Sequence, residues 1–175
     1  GDIRKDLPNF DANNLVGQNI DVFHKNPSHQ RNLVANMKGT YSAQILVGGR
    51  TFGLIANPIE NEQGERLGAV VEWMDRTDEV AVEKEVDDLV LAASNGDLSQ
   101  RLDTGNKNGF FLSLANGLNN LVSIADDVVN DTARVLDALA HGRLTETISA
   151  DYQGSFGKLK QDSNATVAKL TEIIT

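Results

Sequence analysis

Asn95-Gly96-Asp97-Leu98-Ser99-Gln100-Arg101-Leu102 returns 46 residues later as His141-Gly142-Arg143-Leu144-Thr145-Glu146-Thr147-Ile148. Each copy reads as a helix stop followed by a polar connector with two apolar pegs four residues apart: Leu98 and Leu102, then Leu144 and Ile148. Downstream the copies stay in step at an offset of 45, with Gly109, Phe111, Leu114, Asn119 and Val122 answering Gly154, Phe156, Leu159, Asn164 and Val167. A difference of one residue in connector length accounts for the slip. Around the copies the apolar spacing is helical. Val82, Val86, Leu89 and Ala93 form a coiled-coil seam. Phe111, Leu114, Leu118, Leu121, Ala125, Val128, Thr132, Val135 and Leu139 keep the same alternation of threes and fours. This spacing predicts one continuous helix over about 109–140, ending at His141-Gly142. A last helix carries Phe156, Leu159, Val167, Leu170 and Ile174, with Ser163 and Thr166 interrupting its seam.

Helix, stretched connector, helix is a unit whose two helices run parallel, because the connector carries the chain back to the starting end. Two parallel helices expose an apolar seam, which two chains close into a four-helix bundle with knobs-into-holes packing. The expected partner is therefore a second copy of the chain, in a parallel homodimer.

The residues before Asp78 follow another period. All three prolines (Pro8, Pro27, Pro58) and the only Trp lie there. Asn19 to Met37 reads as short helical pieces broken at Pro27. Tyr41–Val47 and Arg50–Pro58 flank Gly48-Gly49, a two-residue hairpin turn. A polar turn at Asn61-Glu62-Gln63-Gly64 leads to a third strand, Arg66–Asp75, on which Ala69, Val71 and Trp73 share one face. The expectation is an antiparallel meander with one face in need of cover.

Composition narrows the function. A net charge of -9 speaks against nucleic acid and against an anionic membrane surface, which both attract basic faces. With no Cys, disulfides, thiolate metal sites and Cys nucleophiles are excluded. No apolar run reaches the 18 or so residues of a membrane span and no signal peptide opens the sequence. A cytoplasmic segment making no membrane contact is expected, with a longer, membrane-anchored parent left open. No phosphate-binding loop or metal-spaced His pair is present, and Glu79, Glu83, Glu85, Asp87 and Asp88 read as a solvated helix face. No enzyme is expected.

The helix–connector–helix unit resembles the HAMP domain of bacterial chemoreceptors and sensor kinases. The resemblance rests on Gly96-Asp97-Leu98-Ser99 with Arg101-Leu102, and on Gly154-Ser155-Phe156-Gly157-Lys158-Leu159 with Asn164. Where that family has an acidic residue and Gly opening the second helix, this chain has Asn108-Gly109 and Gln153-Gly154. The unbroken seam from Phe111 to Leu139 looks like the fused helix of a HAMP array. Gly96, Leu98, Leu102, Gly142, Leu144 and Ile148 are then the connector and packing residues.

The helical pieces, the Gly-Gly hairpin and the strand ending Glu72-Trp73-Met74-Asp75-Arg76-Thr77 resemble the C-terminal part of a PAS domain. The resemblance implies that Asp75, Arg76 and Thr77 couple the last strand to the output helix. Thr77 or Asp78 is expected to cap that helix, and Asp75 and Arg76 to pair across the junction. A whole PAS domain has five strands, so the first two strands and first helix would precede Asp2. Similar PAS domains of oxygen-sensing chemoreceptors bind haem b, and His24 and Trp73 match their proximal ligand and gas-binding positions. Neutral imidazole ligates haem iron, and an indole N–H can stabilise bound oxygen. No cofactor is expected in these residues alone, with haem b open for the intact PAS domain.

The resulting expectation is an α+β chain, a partial PAS domain followed by mostly helical HAMP bundles in a homodimer. Its divisions are 2–77 (PAS), 78–126 (first HAMP) and 127–175 (second HAMP), sharing the helix of about 109–140. The chain is expected to pass a conformational signal from the PAS sensor to a downstream signalling domain of a methyl-accepting chemotaxis receptor. The alternatives are a haem-based oxygen-sensing input module and a passive dimeric spacer in a sensor kinase.

Overall fold

A computed structural model describes residues 3–7 and 9–174. The chain divides into two compact units, Gly1–Lys84 and Glu85–Thr175.

In the first unit, 3-10 turns span Ile3–Lys5 and Ile20–Phe23, and helix α1 spans Pro27–Asn36. Pro27 starts α1 because its missing N–H falls where a helix leaves donors unpaired anyway. Strands β1 (Tyr41–Val47), β2 (Arg50–Glu60) and β3 (Arg66–Asp75) form an antiparallel sheet in the order β1-β2-β3. Gly48 and Gly49 make the first turn, and Val47 pairs with Arg50 directly across it. Asn61 shapes the second turn, its side-chain oxygen accepting the N–H groups of Gln63 and Glu65.

β2 runs two residues past the expected Pro58. The last β1 partner is Tyr41, opposite Ala56, so Pro58 lies beyond β1 and is flanked by β3 alone. Arg66 ties α1 to the sheet, donating to the carbonyls of Val34, Ala35 and Met37 at the C-terminal end of the helix. A cation there meets the negative end of the helix dipole.

Register puts Tyr41, Ala43, Ile45, Phe52, Leu54, Ala56, Val71 and Trp73 on one face. That face is only partly covered. Ala56 is buried, whereas Trp73 remains 53% exposed and touches Phe52 edge-on at 5.7 Å between ring centres. The expected uncovered face is present.

Helix α2 spans Thr77–Ser94, α3 Gly109–Ala140 and α4 Gly154–Ile174. The division between units falls within α2. α2 and α3 end alike. Asp97 N–H bonds the Ala92 carbonyl and Gly96 N–H that of Ala93; Arg143 N–H bonds Ala138 and Gly142 N–H bonds Leu139. This paired bonding requires a left-handed residue, supplied by Gly96 (φ 85°) and Gly142 (φ 69°).

The second unit has two small cores. Leu89, Leu102, Ala115 and Val122 form one, with Val86, Leu98 and Leu118 against it. Val135, Ile148 and Val167 form the other, flanked by Leu139 and Tyr152. Here the seam expected along α3 is only partly the buried line. Ala115, Val122, Val128, Val135 and Ala138 are buried, while Leu121 is 57% exposed. One neighbouring helix and one connector can cover only one flank of α3, and the rest of the apolar line stays open. Along α3 the buried positions step by seven from Ala115 to Val122 and from Val128 to Val135, but by six between Val122 and Val128. At about 100° per residue, that interval turns the covered flank by about a third of a circle.

Candidate signalling junction and connector clasps

The strand-to-helix junction is built around Asp75, Arg76 and Thr77. Successive residues at a strand end point to opposite faces, so Asp75 and Arg76 do not pair with each other as the sequence reading expected. Asp75 accepts the Thr77 N–H at 3.1 Å and its hydroxyl at 2.6 Å, and forms an ion pair with Arg50. The two Thr77 hydrogen bonds, then the Arg50 charge, hold its carboxyl below the usual carboxylate range. Asp75 thus makes the N-terminal hydrogen bond assigned to Thr77 or Asp78. The Thr77 hydroxyl oxygen is used instead by β2, accepting the Thr51 N–H at 3.0 Å.

Arg76 points the other way. Its N–H donates to the Thr51 carbonyl at 2.8 Å, and its guanidinium forks onto Glu79 at 2.7 and 2.8 Å. The same group reaches Glu83 at 3.2 Å and Gln44 of β1 at 3.4 Å. The fork lowers the Glu79 carboxyl and raises the Arg76 guanidinium from their ordinary values. Charge-assisted, two-pronged bonds of this kind fix orientation as well as charge. The first two turns of α2 are thereby held to all three strands.

Each connector is fastened in the same two ways. Leu102 and Ile148, the second pegs, are buried in the two cores; Leu98 and Leu144, the first pegs, are half-buried. Opposite each buried peg stands an Asn. Asn119 accepts the Leu102 N–H at 2.8 Å and donates to its carbonyl at 2.9 Å. Asn164 does the same for Ile148, at 2.8 and 3.0 Å. An amide side chain offers one donor and one acceptor, and so pairs with an extended backbone as a neighbouring strand would.

The second fastening joins the connector end to the preceding helix. Lys107 forms an ion pair with Glu85 at 2.6 Å, and the Tyr152 hydroxyl donates to Asp131 at 2.8 Å. Glu85 and Asp131 stand 46 residues apart and Lys107 and Tyr152 stand 45 apart, so these are equivalent positions in the repeat. Desolvation, with the Asp131 carboxylate next, raises the Tyr152 phenol to about 12. Asn119 and Asn164 match in the repeat, but neither their pairing with the pegs nor the two fastenings is expected from the apolar pattern; the signal for them is polar residues recurring at the repeat offset.

His24 lies at the end of the 3-10 turn, half-buried, with Nδ1 2.8 Å from the Ile20 carbonyl. Trp73 lies on the open sheet face described above. Among the described residues no group of His, Cys, Asp and Glu is arranged to hold a metal ion, and no helix is long and apolar enough to cross a membrane.

The HAMP domain family model matches residues 106–172, which is α3, the second connector and most of α4. The methyl-accepting chemotaxis protein McpB of Pseudomonas aeruginosa is 54% identical over 173 residues, 99% of this chain. Residues 106–172 are thus HAMP-like, in a chain similar along nearly its whole length to a chemotaxis receptor. It spans 26% of the length of McpB. Among solved structures, the Aer2 receptor from Vibrio cholerae, described as a dual PAS-heme oxygen sensor, is 36% identical. That match covers 42% of this chain and 67% of the other at a TM-score of 0.39. The junction and the clasps thus belong to an α+β chain, a three-stranded antiparallel sheet unit followed by a helical unit that carries the HAMP match.

Proposed function

We propose that the chain receives a conformational change in its PAS-like unit (2–77) and relays it through two HAMP modules (78–126 and 127–175) to a downstream chemotaxis-receptor output. It does so as a parallel homodimer and catalyses nothing itself. The observation that carries this reading is the duplicated connector: a buried peg, an Asn pairing with that peg's backbone, and a polar fastening, each recurring at the repeat offset. A passive spacer needs no pegged connectors. Asp75, Arg76 and Thr77 pass movement of the strands to α2. Gly96, Leu98, Leu102, Gly142, Leu144 and Ile148 keep each helix pair parallel while it shifts between packings. α3 serves both modules, and the turn of its covered flank between Val122 and Val128 lets rotation of one helix reset both cores.

The apolar residues left open, among them Phe110, Leu121, Val129 and Leu136, are the surface for the second copy. Because the chain has no native Cys, Leu121→Cys is a clean probe. Light scattering across a dilution series should give twice the chain mass, and oxidation should crosslink Leu121→Cys to its mate. A folded monomer with no crosslink would refute the dimeric relay.

A second reading concerns haem in the intact PAS domain. Its support is the His24 geometry, since a metal-binding imidazole commonly fixes its other nitrogen on a backbone carbonyl. With Nδ1 so engaged, His24 would offer Nε2 to the iron and Trp73 its indole N–H to a bound gas, with the haem supplying reversible gas binding. A haem absorption band in the full-length receptor, lost in His24→Ala, is the expected result. An unchanged band would exclude His24 as ligand.

A further inference from the structure

The end of the β1–β2 hairpin is gripped from two sides. On one side Asp6, just past the first 3-10 turn, accepts the Gly48 N–H at 2.6 Å. On the other, the first residues past the turn hold the start of α2. Arg50 pairs with Asp75, while Thr51 donates its N–H to the Thr77 hydroxyl oxygen and accepts the Arg76 N–H. From there the Arg76 side chain runs back across β2 above Gly53. A Cβ at Gly53 would lie 3.1 Å from the Arg76 Cδ, so the absence of a side chain makes room for the arginine. Past Gly53 the guanidinium reaches Gln44 on β1 and Glu79 and Glu83 on α2. Residue 6 and the second turn of α2 are therefore joined by an unbroken series of polar and packing contacts within the first unit. Its Gly53–Arg76 arm lies on the sheet face opposite Trp73.

We propose that the β1–β2 hairpin is a second input lever, by which displacement of the segment carrying Asp6 is transmitted through the Gly48–Thr51 end and Arg76 to the first two turns of α2. Its meaning for signalling rests on the relay reading above; the coupling itself does not. Spatial continuity is only a starting point for coupling, and a double-mutant cycle is the decisive measurement.

Amide hydrogen exchange on the 175-residue chain tests it. Asp6→Ala should speed exchange at least threefold both at the hairpin end and at Val80–Glu83, with α4 unchanged. Arg76→Lys, which keeps the charge but loses the fork, should speed exchange at Val80–Glu83 and spare the Gly48 amide. The effect of the double variant on α2 should fall short of the sum of the two single effects. An Asp6→Ala effect confined to the hairpin end, or strictly additive effects on α2, would overturn the lever. Gly53→Ala gives an independent reading, since it displaces Arg76 without removing a hydrogen-bonding group, and an unchanged α2 would again overturn it. In the full-length receptor, an altered α2 with unaltered output would refute the relay and leave the lever standing.

Discussion

Asn119 and Asn164 show how much a single amide can decide. The connectors lack the ladder partners of a strand, so the backbone of each buried peg would be stranded against an apolar core without its Asn. Replacing Asn164 by Ala removes two hydrogen bonds to half-buried backbone groups, with an expected loss of about 2 kcal/mol at a net worth of roughly 1 each. Chemical denaturation should show it as a lower midpoint, and Asn119→Ala should behave alike. Asp75 and Glu79 make a second prediction. Both carboxyls are held below their ordinary values, by Thr77 and by Arg76 respectively. The stability they contribute is therefore complete above an unfolded pKa of about 4 and is lost as pH falls through the lowered folded values. Thermal melts from pH 7 downward should stay level to about pH 5 and then fall. Asp75→Asn should lower the plateau and flatten the acid limb.

At the scale of elements, the helix ends matter more than the helix interiors. α2 and α3 have apolar lines that could continue, yet both stop at a glycine whose left-handed backbone closes two bonds back into the last turn. Gly142→Ala should cost about 1–2 kcal/mol, since an L side chain pays that much for the left-handed region. The loss should be read from denaturation midpoints and should appear equally in Gly96→Ala. The unbroken α3 has the opposite task. It carries no glycine after Gly117, so a twist applied there reaches Ala140. Its buried positions change flank midway, which gives two cores to one helix.

For the whole molecule, the balance of covered and open apolar surface is the main fact. Among the described residues few side chains are fully buried, and the largest with less than 2% exposure is Val135. Leu121, Leu136 and Phe110 stand open on α3. Leu121→Glu should leave the helical circular dichroism of the chain nearly unchanged, because the residue is already exposed within one copy. The same change should halve the mass measured by light scattering, because a charge would enter the surface between copies. If the mass stayed at that of two chains, the interface would lie elsewhere.

Period and punctuation, both local, were enough to determine the elements. Alternation and the Gly48-Gly49 pair gave the three strands, threes and fours gave α3 from Gly109 to Ala140, and the 46-residue repeat gave the paired connectors. The choice of partners was not local. Sequence placed Asp75, Arg76 and Thr77 at the junction, but only the fold sent Asp75 to Arg50, Arg76 to Glu79 and Gln44, and Thr77 to Thr51. The reason is that a strand end turns neighbouring side chains to opposite faces, and what each then meets comes from residues up to 32 positions away. The seam of α3 was legible as an apolar line. Which part of it the chain covers was not, because that depends on where each connector lays its peg.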